Sequence, residues 1–189
     1  MLSPSRFLLR VVPFQEDRAS FLVSLKSIGR NLSATLKHPR WTSYGALEVD
    51  VFAAAQDFQL FLAAAEPLAR VEFTKNLDEA EGFRPKEEVI ENARGLFNSE
   101  RYWECHEVLE SVWRPAKGEE RSLIQGMILV CAALVHEQRG EAEVALGIYR
   151  RALRQIVWGE AEYQGIDVAR LRGNVERSLA RRKLMPFKI

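Results

Sequence analysis

Three histidines occur in the chain, and two of them stand beside groups with which they can do chemistry. His106 opens the run His106-Glu107-Val108-Leu109-Glu110. On a helix, side chains are about 100° apart, so His106 and Glu110 share one side, a single turn apart, between Trp103 and Trp113. His136 lies further on, near the end of a second helical stretch. An imidazole and a carboxylate at this spacing allow three readings. They can form a hydrogen-bonded network that locks two helices together. His106, Glu110 and His136 can ligate a divalent metal. His106 can also work with Glu107 or Glu110 as a general acid–base pair in a cleft. The run is His-Glu-x-x-Glu and lacks the second histidine of the His-Glu-x-x-His zinc hydrolases.

Spacing weighs on the metal reading. The short Pro115–Gly118 connection makes the two helices antiparallel neighbours. At a rise of ~1.5 Å per residue, His106 and His136 are then offset by about 13 Å along the axes, too far to share one ion at ~2 Å per bond. The positions facing His106 are instead those around Gln125–Leu129. The expected neighbourhood is therefore His106, Glu110 and Gln125. A buried helix that carries a histidine must satisfy it. Glu107 and Glu110 are candidate suppliers for His136, but the offset favours a separate acid or tyrosine on another helix. No organic cofactor is expected, and a divalent metal at His106, Glu110 and His136 remains the less favoured alternative.

The elements that must hold these residues are helices. From Pro85 onward the pattern reads as helix throughout. Pro85 suits a first helical position, and Val89, Ile90, Ala93, Leu96 and Phe97 form the first stripe. A second helix runs from about Glu100 to Arg114. In it Tyr102, Cys105, Val108, Leu109, Val112 and Trp113 face inward, while Glu104, Glu107 and Ser111 face outward. The third, Glu119–Gln138, is apolar on nearly every side, so it is predicted to be the buried centre, with Ile124, Ile128, Cys131 and Val135 almost fully covered. Helices over Glu141–Trp158 and Asp167–Lys183 follow, the last capped by Asp167. Its arginines, with Arg170, Arg177 and Arg181 on one side, read as a solvated face.

The first 75 residues change period repeatedly. Alternating runs at Arg6–Val12, Leu32–Leu36, Leu47–Val51 and Val71–Phe73 are separated by helical spacing at Glu16–Arg30 and Ala54–Glu66, with a turn-like break at His38-Pro39-Arg40. The order β-α-β-β-α-β predicts a ferredoxin-like sandwich. Arg10, Thr35, Lys37, Glu48, Asp50, Glu72 and Thr74 should point away from its helices, with Arg10 pairing to one of the acids. Recognition of RNA needs stacking rings on that face, and acids stand there instead. Nucleic acid is therefore not an expected partner; the face suits packing on another domain or subunit.

Composition agrees with a folded soluble chain: 47% of residues are hydrophobic and 28% charged. Charge is uneven, with +2 over residues 1–77, −6 over 78–137 and +5 over 138–189. That pattern lacks the basic surface of a typical nucleic-acid binder. No apolar run reaches the ~20 residues that span a bilayer, and Arg10, Glu16 and Asp17 interrupt any leader-like start. A cytoplasmic location is expected. Cys105 and Cys131 show no Cys-x-x-Cys spacing and read as free, buried small hydrophobes.

The stretch from Leu96-Phe97-Asn98 through Tyr102, His106-Glu107, Glu110 and Trp113 resembles the prokaryotic family called domain of unknown function 309. So does Leu123-Ile124-Gln125-Gly126 with Ala132-Ala133-Leu134-Val135-His136. The resemblance covers residues 85–160 and implies a compact all-helical domain, but no activity. It marks Asn98, Tyr102, His106, Glu107, Glu110, Trp113, Gln125, Gly126 and His136; Arg139-Gly140-Glu141-Ala142 departs from the family's usual residues.

The resulting expectation is an α+β chain: a ferredoxin-like domain at 1–75, a polar linker at 76–84 and an all-helical domain at 85–189 with a central buried helix. It is read as a binding or regulatory module. Its polar cluster of Asn98, Tyr102, Trp103, His106, Glu110, Trp113, Gln125 and His136 would hold a small molecule or a protein partner, and the first domain would serve assembly, including a homo-oligomer. The alternative is a hydrolytic enzyme, with or without metal, using His106, Glu107 and Glu110.

Overall fold

Alternating apolar residues in the first part of the chain must bury one face of a sheet, and two amphipathic helices supply the cover. The computed structural model describes residues 4–79, 82 and 84–189; Ala80, Glu81 and Phe83 of the expected linker lie outside them. The chain divides into two compact units, Met1–Gly82 and Phe83–Ile189.

In the first unit, β1 (Ser5–Pro13), α1 (Arg18–Asn31), β2 (Thr35–Trp41), β3 (Leu47–Ala53), α2 (Ala55–Ala65) and β4 (Ala69–Asn76) follow in the expected order. The sheet is antiparallel throughout, with strand order β2-β3-β1-β4, which is the ferredoxin-like arrangement. Asp17 starts α1 by accepting the backbone N–H groups of Ala19 and Ser20. Phe7, Leu9 and Val11 of β1 and Leu47, Val49 and Val51 of β3 pack on Phe21, Leu25, Phe58 and Phe61 of the helices. Phe7 and Phe58 stack with centroids 4.0 Å apart.

Two irregularities correct the sequence reading. His38-Pro39-Arg40 is no turn: β2 runs through it. A bulge with His38 at φ +53° moves the pairing from Lys37↔Asp50 to Arg40↔Glu48, so Lys37 and Arg40 share a face. A second bulge shifts β1–β4 pairing between Arg10↔Phe73 and Val11↔Val71. Phe73 therefore lies on the Arg10 side, and Thr74, opposite Leu9, lies on the helix side. The face away from the helices does carry rings, each beneath one of the unit's own cations. The Arg10 guanidinium is 5.3 Å from the Phe73 centroid, and the Lys37 ammonium 4.9 Å from that of Phe52.

This face holds a buried ion network. Glu48 accepts from Arg40 Nε at 2.9 Å and from Arg10 Nη2 at 2.8 Å. Asp50 accepts from Arg40 Nη2 at 2.7 Å and from Arg6 Nη2 at 2.5 Å. Tyr44 links Arg10 to Glu72. Arg10, Arg40, Glu48 and Asp50 are at most 2% exposed. Charges tolerate such burial because each of the four carboxylate oxygens meets a guanidinium.

The second unit runs α3 (Lys86–Asn98), α4 (Tyr102–Trp113), α5 (Gly118–Gln138), α6 (Ala142–Gln155), β5 (Glu162–Tyr163), β6 (Ile166–Asp167) and α7 (Val168–Arg181). Helix α5 packs against both α4 and α6, and Leu123, Ile124, Val130 and Ala133 are fully buried on different sides of it. It is the central helix. A Cβ on Gly126 would sit 3.1 Å from the Ile156 nitrogen and 3.2 Å from the Gln155 carbonyl carbon, so the end of α6 rests on bare α5 backbone. Three expectations are corrected. Val135 is only half-buried, because the last turn of α5 emerges from the core. Helix α6 stops at Gln155. The stretch beyond it is not all helical: a two-stranded hairpin turns at Gln164 (φ +49°) and Gly165 (φ +78°).

Two substitutions test this architecture by urea unfolding. Arg40→Met strands oxygens of both buried acids and should cost about 3–5 kcal/mol. Gly126→Ala forces α6 away from α5 and should cost about 1–3 kcal/mol, as overpacking does; an unchanged midpoint would mean the helices have room to spare.

Candidate functional site

The α3–α4 corner positions the first motif residues. Ser99 ends α3, and Glu100 adopts φ +55°. The Arg101 N–H returns to the Leu96 carbonyl at 2.9 Å. This turn sets Tyr102 edge-on to Phe97, with centroids 5.1 Å apart. Gln138, at the far end of α5, donates to the Glu100 carbonyl at 3.0 Å and pins the corner.

One turn further along α4, His106 Nδ1 lies 3.2 Å from Glu107 Oε1, and Nε2 lies 3.8 Å from Glu110 Oε1. The first is a hydrogen-bonding distance and the second is not. All three side chains reach solvent, with 26%, 51% and 37% of their surface exposed. Arg114 approaches the other Glu110 oxygen at 3.5 Å. Arg121 closes the end of α4, donating to the carbonyls of Trp113, Arg114 and Ala116 and lying 4.0 Å over the Trp113 ring. Trp113, at the far end of α4 from His106, is thereby held in place. Trp103, on the same helix, is half-buried, as is Gln125 on α5. Among the described residues Gln125 makes no hydrogen bond to His106 or Glu110.

His136 is used elsewhere. Its Nδ1 hydrogen-bonds Glu141 Oε2, across the Gly140 turn from α5 to α6. Arg139 Nε reaches the other Glu141 oxygen at 3.3 Å. The His136 hydrogen bond, with help from Arg139, holds the Glu141 carboxyl below the usual glutamate range. The two histidines thus have different partners. Among the described residues, no group of three or more His, Cys, Asp or Glu side chains is arranged to hold a metal ion.

Other polar side chains of the unit have defined partners, several of them not singled out from the sequence. Glu104, expected to face outward, is 2% exposed and takes a two-pronged contact from Arg101 at 2.6 and 2.7 Å. The Arg-x-x-Glu spacing was the signal that the outward placement passed over. Lys86, Glu120 and Tyr163 tie α3, α5 and the hairpin together at 2.8 and 3.0 Å; the Lys86 hydrogen bond is the main reason the Glu120 carboxyl is held low. Cys131 donates to Cys105 Sγ at 3.3 Å, and Cys105 donates to the Ala93 carbonyl at 3.2 Å. Both thiols are free and buried, and burial pushes the Cys131 thiol up, away from the reactive thiolate. Asn98 bonds the backbone of Ile189 in both directions.

This set of residues has relatives. Residues 90–148 match the profile of the family described as Domain of unknown function (DUF309). A solved structure, a conserved hypothetical protein from Thermus thermophilus, is 36% identical over 52% of this chain and 99% of that one, with a TM-score of 0.44. Residues 90–148 are a DUF309 domain. An uncharacterized protein of Aquifex aeolicus (strain VF5) is 24% identical over 104 residues, 54% of this chain. The match spans 31% of that relative's length. The DUF309 stretch takes in most of α3, all of α4 and α5, and the first half of α6. Asn98, Tyr102, His106, Glu107, Glu110, Trp113, Gln125 and His136 all lie inside it.

The His136–Glu141 pair makes a pH prediction. A depressed carboxyl pKa stabilises the fold above the unfolded glutamate pKa, and that contribution is lost as pH falls through the lower folded value. Glu141→Gln should therefore flatten the acid side of a melting-temperature profile. A parallel downward shift at every pH would assign the role to packing instead.

Proposed function

We propose that the helical unit is a binding module whose ligand is held at the exposed turn of α4 by His106, Glu107 and Glu110. The observation that carries this reading is the 3.8 Å gap between His106 Nε2 and Glu110 Oε1. When Nδ1 carries the imidazole proton and donates it to Glu107, Nε2 and the Glu110 oxygen are both acceptors. Two acceptors that face each other without a proton between them suit a donor group placed to bond both. A protonated amine or guanidinium does this and also meets two carboxylates. The neighbouring motif side chains are engaged in the fold, His136 with Glu141, Asn98 with Ile189 and Glu104 with Arg101. The His106 turn is the part of the motif that faces solvent.

Calorimetric titration of the intact chain with spermidine and with L-argininamide tests this. Saturable binding is expected, weakened about tenfold or more by Glu110→Gln, as follows from losing a charge-assisted hydrogen bond. Equal affinity in the variant would sink the reading. Turnover of p-nitrophenyl acetate that disappears in His106→Ala would replace it with a hydrolytic one.

A further inference from the structure

After α7 the backbone turns at Arg182, in the left-handed region at φ +50°, and continues without helix or strand to Ile189. Its side chains alternate: Phe187 and Ile189 face inward, and Lys188 faces out. Asn98 at the end of α3 grips this segment by its backbone. The Ile189 N–H donates to Asn98 Oδ1 at 3.0 Å, and Asn98 Nδ2 donates to the Ile189 carbonyl at 3.3 Å. A side-chain amide that bonds both the N–H and the C=O of one residue imitates a neighbouring β-strand, so it recognises extended backbone whatever side chain is attached. Specificity then comes from pockets for alternate residues. Phe187 meets Phe97, with centroids 5.2 Å apart. Ile189 packs beside Phe97, Cys105, Leu109, Met127, Cys131 and Leu171, around an apolar gap too tight to hold a water molecule. Of these lining residues all but Leu171 fall within the 90–148 family match, as does Asn98, whereas the bound segment lies outside it. The groove is thus built almost wholly from the family-matched stretch, and its occupant comes from residues outside that stretch.

We propose that the α3–α4 groove is a binding site for an extended peptide of the pattern Phe-x-Ile, and that the chain's own Phe187–Ile189 is the ligand seated in it. Leu184, buried in the core just after α7, anchors the start of the segment; beyond it there is no regular hydrogen bonding, so the hold on Phe187–Ile189 rests on Asn98 and the two apolar contacts. It can leave while the helices stay folded.

The test uses the full-length chain with Phe187→Ala and Ile189→Ala, which removes the two apolar side chains from the groove and leaves the tethered backbone a weakened competitor, and the labelled hexapeptide Leu-Met-Pro-Phe-Lys-Ile. Fluorescence anisotropy should show saturable binding to this variant. Binding to the unaltered chain should be at least about tenfold weaker, because the tethered segment competes at high effective concentration. Adding Asn98→Ala, or methylating the peptide's isoleucine nitrogen, should weaken binding about tenfold. No binding to a folded variant, or binding indifferent to Asn98, overturns the proposal. Should the double variant fail to fold, amide exchange on the unaltered chain decides. The Ile189 N–H is expected to exchange far faster than the α5 amides, by local release. Exchange in step with α5 would show the segment to be an integral part of the core.

Discussion

The close approach of α6 to α5 at Gly126 is the constraint on which the helical unit depends. Three consecutive helices pack as one layer only if the middle one accepts neighbours on both sides, and α5 does so with small or apolar side chains around its circumference. Bare backbone at Gly126 lets Ile156 settle, which fixes where α6 ends. The same packing sets α4 against the other side of α5 and leaves the His106 turn as its outward edge. Polar residues then sort by depth. Those near the core, such as Glu104 and Gln138, hold corners, and those on the outer turn pair at the surface, His106 with Glu107 and Glu110 with Arg114.

Much of this was legible in the sequence because apolar periodicity reports burial directly. The stripe of Val89, Ile90, Ala93, Leu96 and Phe97 is buried as read, and Asp167 caps α7 as its type suggests. Arg10 meets Glu48 across the sheet, which follows once the alternation of β1 and β3 is fixed. The parts that were not legible are those where a local signal has two meanings. His38-Pro39 carries the chemistry of a turn but forms a bulge, since β3 continues beside it and keeps the strand extended. The two-residue strands around Gln164-Gly165 are too short to show a period. Glu104 looked like an outward acid because helical angle alone placed it there; Arg101 neutralises it and lets it go under.

For the site, spacing was informative about what does not meet. An offset of about 13 Å between the two histidines follows from helix rise alone, and the structure gives each its own acid. It could not supply the partner of Asn98, because that partner is a backbone group ninety-one positions away, in a segment without periodicity. Long-range contacts to main chain leave no mark in side-chain patterning. Residues of this kind are found by family resemblance or from coordinates.

The bulge at His38 also governs how β2 tolerates changes in length. Between Lys37 and Arg40 the strand spends three residues where β3 spends two, so it carries one surplus residue. Deleting His38 restores plain alternation and leaves Arg40 facing the same acids. Deleting a residue at Leu36 instead would turn the outer end of the strand over, sending a lysine toward the helices. The strand thus has one position where the reading frame of its faces is forgiving, and it lies on the edge of the sheet, where a kink, a proline and a missing N–H also discourage another strand from adding on.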